Sequence, residues 1–416
     1  MTIVEKIFAH KIGKAKVSAG DTVFAPLDLI LGTEIASPLS IKVFEEIGAD
    51  AVFDSSKLVF INDHFVPAKD IASANMAKMT KNFAAKYHIE NYFEVGRCGI
   101  CHISVPEKGF VVPGDIVIGA DSHTCTYGAL GAFATGMGST DIAASWVLGE
   151  LWFKVPESIK VVFKGTLNNH VTGKDLILYL IGRIGVAGAI YKALEFCGPV
   201  IESMGMSDRF TICNMAIECG AKAGVIAADN VTKGYLKGRT KREGLCLKPD
   251  KDARYADEIE IDVTKIEPLV AMPYSPENVA EASEMKEVNL DQVVIGSCTN
   301  GRIDDFRIAY RILKDKQVNN NVRLILIPGS PEVLREMITE NMLDAFVRAG
   351  AVIGPSTCGP CIGGHMGVLG DNEVGLYTTN RNFKGRNGAI TSKVYLCNPA
   401  VAAYSAIVGK IAVPGY

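Results

Sequence analysis

Short runs of β-branched and aliphatic residues recur along the chain, each ending in a polar cluster that glycine and a helical pattern follow. Leu58-Val-Phe-Ile61 leads into Asn62-Asp63-His64, and Ile116-Val-Ile118 into Asp121-Ser122-His123. Val293-Val-Ile295 leads into Ser297-Cys298-Thr299-Asn300, Val352-Ile353 toward Cys358 and Cys361, and Leu376-Tyr377 into Asn380-Arg381. Apolar runs without alternation suit strands buried on both faces, so the pattern predicts an α/β fold built on parallel sheets. Ile3, Val4 and Ile7 instead recur at helical spacing and predict the inner face of a first helix.

In open α/β sheets ligands gather beyond the carboxyl ends of the strands, so five strand ends carrying acids, imidazoles, thiols and arginines predict one shared site. The blander reading is that each cluster caps the next helix, as Asp, Ser and Asn often do. Capping accounts for Ser139-Thr140-Asp141 ahead of the apolar stretch from Ile142, but not for histidines and cysteines at strand ends. The Gly-rich stretch Gly128–Gly138 does not run strand-to-helix with the spacing of a dinucleotide fingerprint.

A length of 416 residues predicts two or three domains. Lys154-Val155-Pro156 closes one block, and the Pro-containing stretch from Lys265 through Pro276 reads as a linker before a last block from about Glu287. The boundaries expected are 1–156, 157–286 and 287–416. A net charge of −3 provides no general field for nucleic acid or anionic membrane. Acidic Glu5 interrupts the amino terminus, no signal peptide is evident, and no stretch reaches the roughly 18 apolar residues of a membrane span. A cytoplasmic protein is expected, whose eleven cysteines are free thiols or metal ligands, not a disulfide framework.

Cys358-Gly-Pro-Cys361, with Cys298 in Gly296-Ser-Cys-Thr-Asn-Gly301, is the strongest chemical constellation. Zinc, redox thiols or an iron–sulfur cluster all suit a C-x-x-C pair, and spacing alone leaves zinc and cluster level. Cys98-Gly-Ile-Cys101-His102 matches the pattern for covalent haem attachment, which belongs to exported proteins and is set aside here. The basic run Lys233, Lys237, Arg239, Lys241 and Arg242 is diluted by Glu243 and glycines and has no aromatic stacking set, so nucleic acid is not expected as a partner.

Gly119-Ala-Asp-Ser-His-Thr124, Gly131 through Asp141, Val294-Ile-Gly-Ser-Cys-Thr-Asn-Gly-Arg302 and Thr379-Asn-Arg-Asn-Phe-Lys-Gly-Arg386 together resemble the aconitase superfamily. The resemblance runs from the first helix to about residue 413. It is greatest to the large subunit of the two-subunit branch, the 3-isopropylmalate dehydratase and homoaconitase type. It implies three α/β/α domains around a shared iron–sulfur site, without the fourth, swivelling domain. It also implies a 4Fe–4S cluster held by Cys298, Cys358 and Cys361, with one iron left open as a Lewis acid. By the same resemblance Asp63, His64, His102, Asp121, Ser122, His123 and Glu218 form the acid–base set. Asn214, Asn380, Arg381 and Arg386 orient the substrate, the arginines as planar forks on its carboxylates. The chain ends about thirty residues past Arg386, so a separate small subunit is expected to close the site and supply a serine base, in a heterodimer or heterotetramer.

Thr33-Glu34, Tyr127 and Thr391 depart from the family's usual residues without touching a cluster position. They leave homoaconitase and 2,3-dimethylmalate dehydratase beside isopropylmalate dehydratase, since one polar group in a pocket redirects substrate choice. The expected activity is therefore a hydro-lyase acting on a hydroxy-di- or tricarboxylic acid. The competing classes are an iron-responsive RNA-binding regulator and an electron carrier with a fourth thiolate on its cluster.

Overall fold

Every apolar run singled out in the sequence is a strand, and the polar cluster after each lies at that strand's carboxyl end. The computed structural model describes Met1–Gly415. In chain order its strands are β1 (Thr22–Pro26), β2 (Leu29–Thr33), β3 (Leu58–Ile61), β4 (Tyr92–Phe93), β5 (Ile116–Gly119), β6 (Phe133–Gly136) and β7 (Glu150–Lys154). Then follow β8 (Ser158–Lys164), β9 (Ala193–Cys197), β10 (Ala223–Ile226), β11 (Asp257–Asp262), β12 (Leu269–Ala271) and β13 (Val279–Glu281). The last are β14 (Gln292–Gly296), β15 (Arg323–Ile327), β16 (Val352–Ile353), β17 (Val374–Tyr377) and β18 (Lys393–Cys397).

They form three sheets and a small ribbon. The first sheet has the order β4-β3-β2-β5-β6 and is parallel throughout, with Ile30 opposite Leu58 and Val117 opposite Ala134. The second, β10-β9-β8-β11, is also parallel throughout. The third, β13-β12-β18-β17-β14-β15-β16, is parallel except for β12 and β13. Thus the segment expected to be a linker is an antiparallel edge: Val270 pairs with Cys397 of β18. Its prolines mark the turns around two three-residue strands that are too short for a sequence pattern to show. An antiparallel ribbon, β1 with β7, lies apart from these sheets.

Strand alternation divides the first sheet's two faces between two cores. Ile30, Leu58, Phe60, Ile116, Ile118 and Phe133 pack with Ile3, Val4, Ile7 and Phe8 of the amino-terminal helix Ile3–Lys11 and with Trp146. Leu29, Leu31, Val59, Ile61 and Val117 face the other way, into a core shared with the second sheet and with Cys298, Ile327 and Tyr377 of the third. The tight 3₁₀ turns of Ser122–Leu130 lie in that shared core, with His123 through Leu130 buried. The helix Gly173–Ile184 ties the second sheet to the third. Its Asp175 carboxylate closes a capping box with Thr172 and accepts the Leu269 N–H at 2.9 Å and the Asn398 amide at 2.8 Å.

Two local expectations are corrected. Gly138, not the Ser139-Thr140-Asp141 cluster, is the N-cap of the helix Ser139–Leu148, and no side chain caps it; Asp141 sits in the first turn. β6 does run directly into that helix, so strand-to-helix order is present there without the fingerprint's glycine spacing.

At Gly128 the seam between the first two sheets has no room for a side chain, because a Cβ would lie on the Gly224 carbonyl oxygen of β10. Backbone must move to admit even alanine, so Gly128→Ala is expected to lose about 2–3 kcal/mol in urea denaturation. A loss below about 0.5 kcal/mol would show that the seam is slack.

Candidate active site

β3 ends in Asn62-Asp63-His64 and β5 in Asp121-Ser122-His123, and the two strands flank β2 in one parallel sheet. Their polar ends therefore emerge side by side. Asp121 is the hub. Its Oδ1 accepts from His102 Nε2 at 2.8 Å and from the His123 backbone N–H at 2.7 Å, and its Oδ2 lies 3.4 Å from His64 Nε2. His123 Nδ1 is 3.6 Å away. Burial alone would raise this carboxyl, but His102, His123 and His64 outweigh it and hold Asp121 well below the usual carboxylate range. Each imidazole has a second anchor. His64 Nδ1 bonds Asp63 Oδ1 at 2.6 Å, His102 Nδ1 meets the Tyr127 hydroxyl at 3.1 Å, and His123 Nε2 bonds Glu218 Oε1 at 2.8 Å. Burial works to lower His64, yet Asp63, Asp121 and Glu34 raise it well above the ordinary imidazole value, so it carries a proton at neutral pH.

Glu218 and Asn214 come from the second sheet's side, on the short turns and helix before β10. Arg381 Nε donates to both Glu218 oxygens, at 2.8 and 3.0 Å. Burial would raise Glu218, but His123 and Arg381 bring it below its usual value. Arg381 is thus held by a protein carboxylate in this structure. Arg386 Nε donates to the Cys361 carbonyl at 3.0 Å, so it braces the turn that carries that cysteine. Ser122 is half-buried and lines, with Asp121, Met137, Tyr191 and Lys222, an open cavity of about 530 Å³.

Cys298, Cys358 and Cys361 are all buried and unbridged, on turns of the third sheet that face this hub. Asn380 links two of them, with Oδ1 3.1 Å from the Cys361 sulfur and Nδ2 3.3 Å from the Cys298 sulfur. Asn214 Nδ2 reaches the Cys298 sulfur at 3.2 Å. The third thiol approaches the acid–base groups, with Cys358 Sγ 3.9 Å from Asp63 Oδ2. The donor atoms of Asp63, His64 and Cys358 lie within 4.8 Å of one another. Burial, then Asp63 and the two other thiols, pushes Cys358 well above the usual thiol range, and burial likewise raises Cys298. Without a metal these thiols stay protonated, and bound metal is what would ionise them. Two amide N–H groups aimed at one sulfur suit a thiolate acceptor, so the donor set fits a thiolate-bound iron–sulfur group.

Several residues essential to this geometry were not read from the sequence as site residues. Glu34 was noted only as a departure from pattern. It is fully buried and its carboxylate accepts the backbone N–H groups of Asp63, His64 and Phe65 at 2.9, 2.7 and 2.6 Å, fixing the turn after β3. Its signal was present, since Glu34 follows the apolar run of β2 just as the other clusters follow theirs. Tyr127 packs against His102, and Arg302, buried, donates to the Cys298, Thr299 and His102 carbonyls at 3.0, 3.0 and 3.2 Å. Cys101 contributes its N–H to Asp63 Oδ2 at 2.8 Å, which locks Asp63. The basic run lies at the surface around the helix Asn230–Leu236, where Arg242 pairs with Asp115 at 2.7 Å.

A family model described as the aconitase family (aconitate hydratase) matches residues 5–287 and 278–409. The chain belongs to the aconitase family. The 3-isopropylmalate dehydratase large subunits of Desulfatibacillum aliphaticivorans and Heliobacterium modesticaldum are each 55% identical to it over 414 residues, spanning 100% of this chain and 99% of theirs. Among solved structures, the holo-form of Thermococcus kodakaraensis aconitase X superposes with a TM-score of 0.51 over 94% of this chain and 93% of its own. At 11% identity that likeness is one of fold. The three-sheet α/β arrangement is therefore the aconitase-type architecture, and no helix among the described residues is long and apolar enough to cross a membrane.

Opposed carboxyl shifts set the pH dependence of stability. Burial pushes Glu107 and Asp305 up to about 7, and Asp115 and Asp175 up to about 6. The folded chain keeps these protons where the unfolded chain has lost them, so their contribution is full below about pH 4 and vanishes as pH rises through 6 to 7. Asp121 and Glu218, both lowered, contribute above about pH 4.5 and lose that contribution as pH falls through their folded values. The urea midpoint of the metal-free chain is thus expected to be higher at about pH 5.5 than at about pH 7.5. A midpoint that climbs over that interval would contradict these protonation states.

Proposed function

We propose that this chain is the cluster-bearing large subunit of a two-subunit hydro-lyase, a 3-isopropylmalate dehydratase, acting with a separate small subunit. The observation that carries this reading is the single turn at Asn380-Arg381. Asn380 touches two of the three thiols, and Arg381 closes on Glu218 and through it on His123. Thiols and acid–base groups thereby form one site. The assignment to isopropylmalate is supported by full-length relatives of that name at 55% identity.

In this reading Cys298, Cys358 and Cys361 hold a 4Fe–4S cluster, which supplies a Lewis acid because three thiolates leave one of four irons without a protein ligand. The chain's own groups then divide the remaining work. Dehydration requires a proton for the departing hydroxyl, and His64 has one at Nε2, kept there by Asp63 on Nδ1 and by Asp121 beside it. His102 and His123, each against a carboxylate, hold Asp121 ionised beside His64 and so keep that proton in place. Arg381 exchanges part of its hold on Glu218 for a substrate carboxylate, in the planar fork that guanidinium favours. Arg386 keeps the Cys361 turn in place through its carbonyl.

What these residues leave out is a base for the carbon-bound proton. His64 and His102 are engaged at both ring nitrogens, and His123 is bonded to Glu218. A serine of the small subunit closing over the cavity beside Asp121 and Ser122 fills that role in this account, in a heterodimer or heterotetramer.

The test is an anaerobic assay of the chain with its small subunit on 3-isopropylmalate, homocitrate and 2,3-dimethylmalate, following the unsaturated product by ultraviolet absorbance. The pair is expected to prefer 3-isopropylmalate, and the chain alone to turn over poorly. Equal activity without the small subunit, or preference for another acid, would overturn the assignment. Within the active pair His64→Gln is expected to lower kcat by about 10²–10⁴-fold with a much smaller change in KM. An unchanged kcat would remove His64 from the proton path.

A further inference from the structure

Lys174 is fully buried in the first turn of the helix Gly173–Ile184, on the second sheet's side of the seam. A cation there is out of place on two counts, since the amino end of a helix favours negative charge and a buried ammonium needs compensation. No carboxylate pairs with it among the described residues. Its three N–H donors have three oxygen acceptors instead: the Thr379 carbonyl at 2.5 Å, the Thr378 carbonyl at 2.9 Å and Asn300 Oδ1 at 3.5 Å.

Those acceptors belong to two turns that must meet accurately. Thr378-Thr379 leads straight into Asn380-Arg381, whose side chains contact Cys298, Cys361 and Glu218. Asn300 lies two residues beyond Cys298, and the Thr299 hydroxyl also donates to the Thr378 carbonyl, at 2.6 Å. The ammonium is thus the point where the cysteine turn after β14 and the arginine turn after β17 are fastened to a third element. Burial pushes Lys174 down to about 8, while Cys397, Cys361 and Cys298 act to keep it charged.

We infer that Lys174 is a positioning residue that sets the Asn380-Arg381 turn against the Cys298 turn and places a positive charge behind both turns. The inference rests on the proposed reading of Cys298, Cys358 and Cys361 as cluster ligands. A fixed cation beside an anionic thiolate-bound cluster favours the reduced state, because net charge and nearby groups set such potentials. Lys174 reaches Arg381 only through the Thr378 and Thr379 carbonyls, so its effect on substrate binding is indirect.

The experiment compares wild type, Lys174→Met and Lys174→Arg, each reconstituted anaerobically in the full chain and paired with the small subunit. It measures iron and sulfide content, the electron paramagnetic resonance spectrum, the midpoint potential, KM and kcat. Lys174→Met is expected to load iron, to show a lower midpoint potential and an altered spectrum, and to raise KM about tenfold. Lys174→Arg is expected to keep the potential near the wild-type value. A wild type that takes up no cluster sinks the functional reading itself. A loaded Lys174→Met with wild-type potential, spectrum and KM overturns the role of Lys174 alone. If Lys174→Met does not fold, Asn300→Ala takes its place: it keeps the charge and cuts the tie to the Cys298 turn. An altered spectrum at unchanged midpoint potential is then the expected result, and an unchanged spectrum and KM is the overturning one.

Discussion

A carboxylate removed from water stays ionised only if the protein compensates it, and Asp121 is compensated by three imidazoles from three different segments. This constraint organises the site. His64 can reach Asp121 only because β3 and β5 run parallel on either side of β2 and end at the same level. His102 arrives from the short helix Cys101–Glu107, and His123 from the turns directly after Asp121. Each ring is then oriented by its own partner, Asp63, Tyr127 or Glu218. Removing any one partner leaves a buried polar group unpaired, so the network is rigid as a unit.

The thiols obey the same rule with opposite sign. Buried sulfur resists ionisation, and the groups that act against this are the Asn214 and Asn380 amides and two buried cations, Arg302 and Lys174. Cys298 and Cys358 therefore stay protonated until metal arrives, and a thiolate-bound cluster would set negative charge beside those cations. Glu34 gives up three acceptor positions to backbone N–H groups to hold the Asp63-His64 turn beside Cys358. Structure and chemistry meet in these turns, not in the sheets, which only bring the turns together.

Much of this was legible in the sequence because strand ends announce themselves. Apolar runs of two to four residues leading into Asp, His, Cys or Asn mark the strands and the polar clusters that converge. Other parts were silent for physical reasons. β12 and β13 are three residues each, and β12 joins the sheet through distant β18 while β13 pairs with β12 at the edge, so no local periodicity marks them. Arg381 was read as a substrate fork, yet its bond to Glu218 spans 163 positions, which no local pattern encodes. Lys174 did leave a trace, a cation where the helix start Thr172-Gly-Lys-Asp175 calls for an acid, and the reason for it appears only once three segments are folded together. Family likeness added what spacing could not, since C-x-x-C with a distant third cysteine is equally compatible with zinc.

Isotopic iron spectroscopy asks directly whether the chain leaves one metal site uncapped. Mössbauer spectra of the chain reconstituted anaerobically with ⁵⁷Fe should resolve one iron distinct from the other three, and its signal alone should shift when the hydroxy acid is added. Four equivalent irons indifferent to the acid, or zinc in place of iron, would contradict the account.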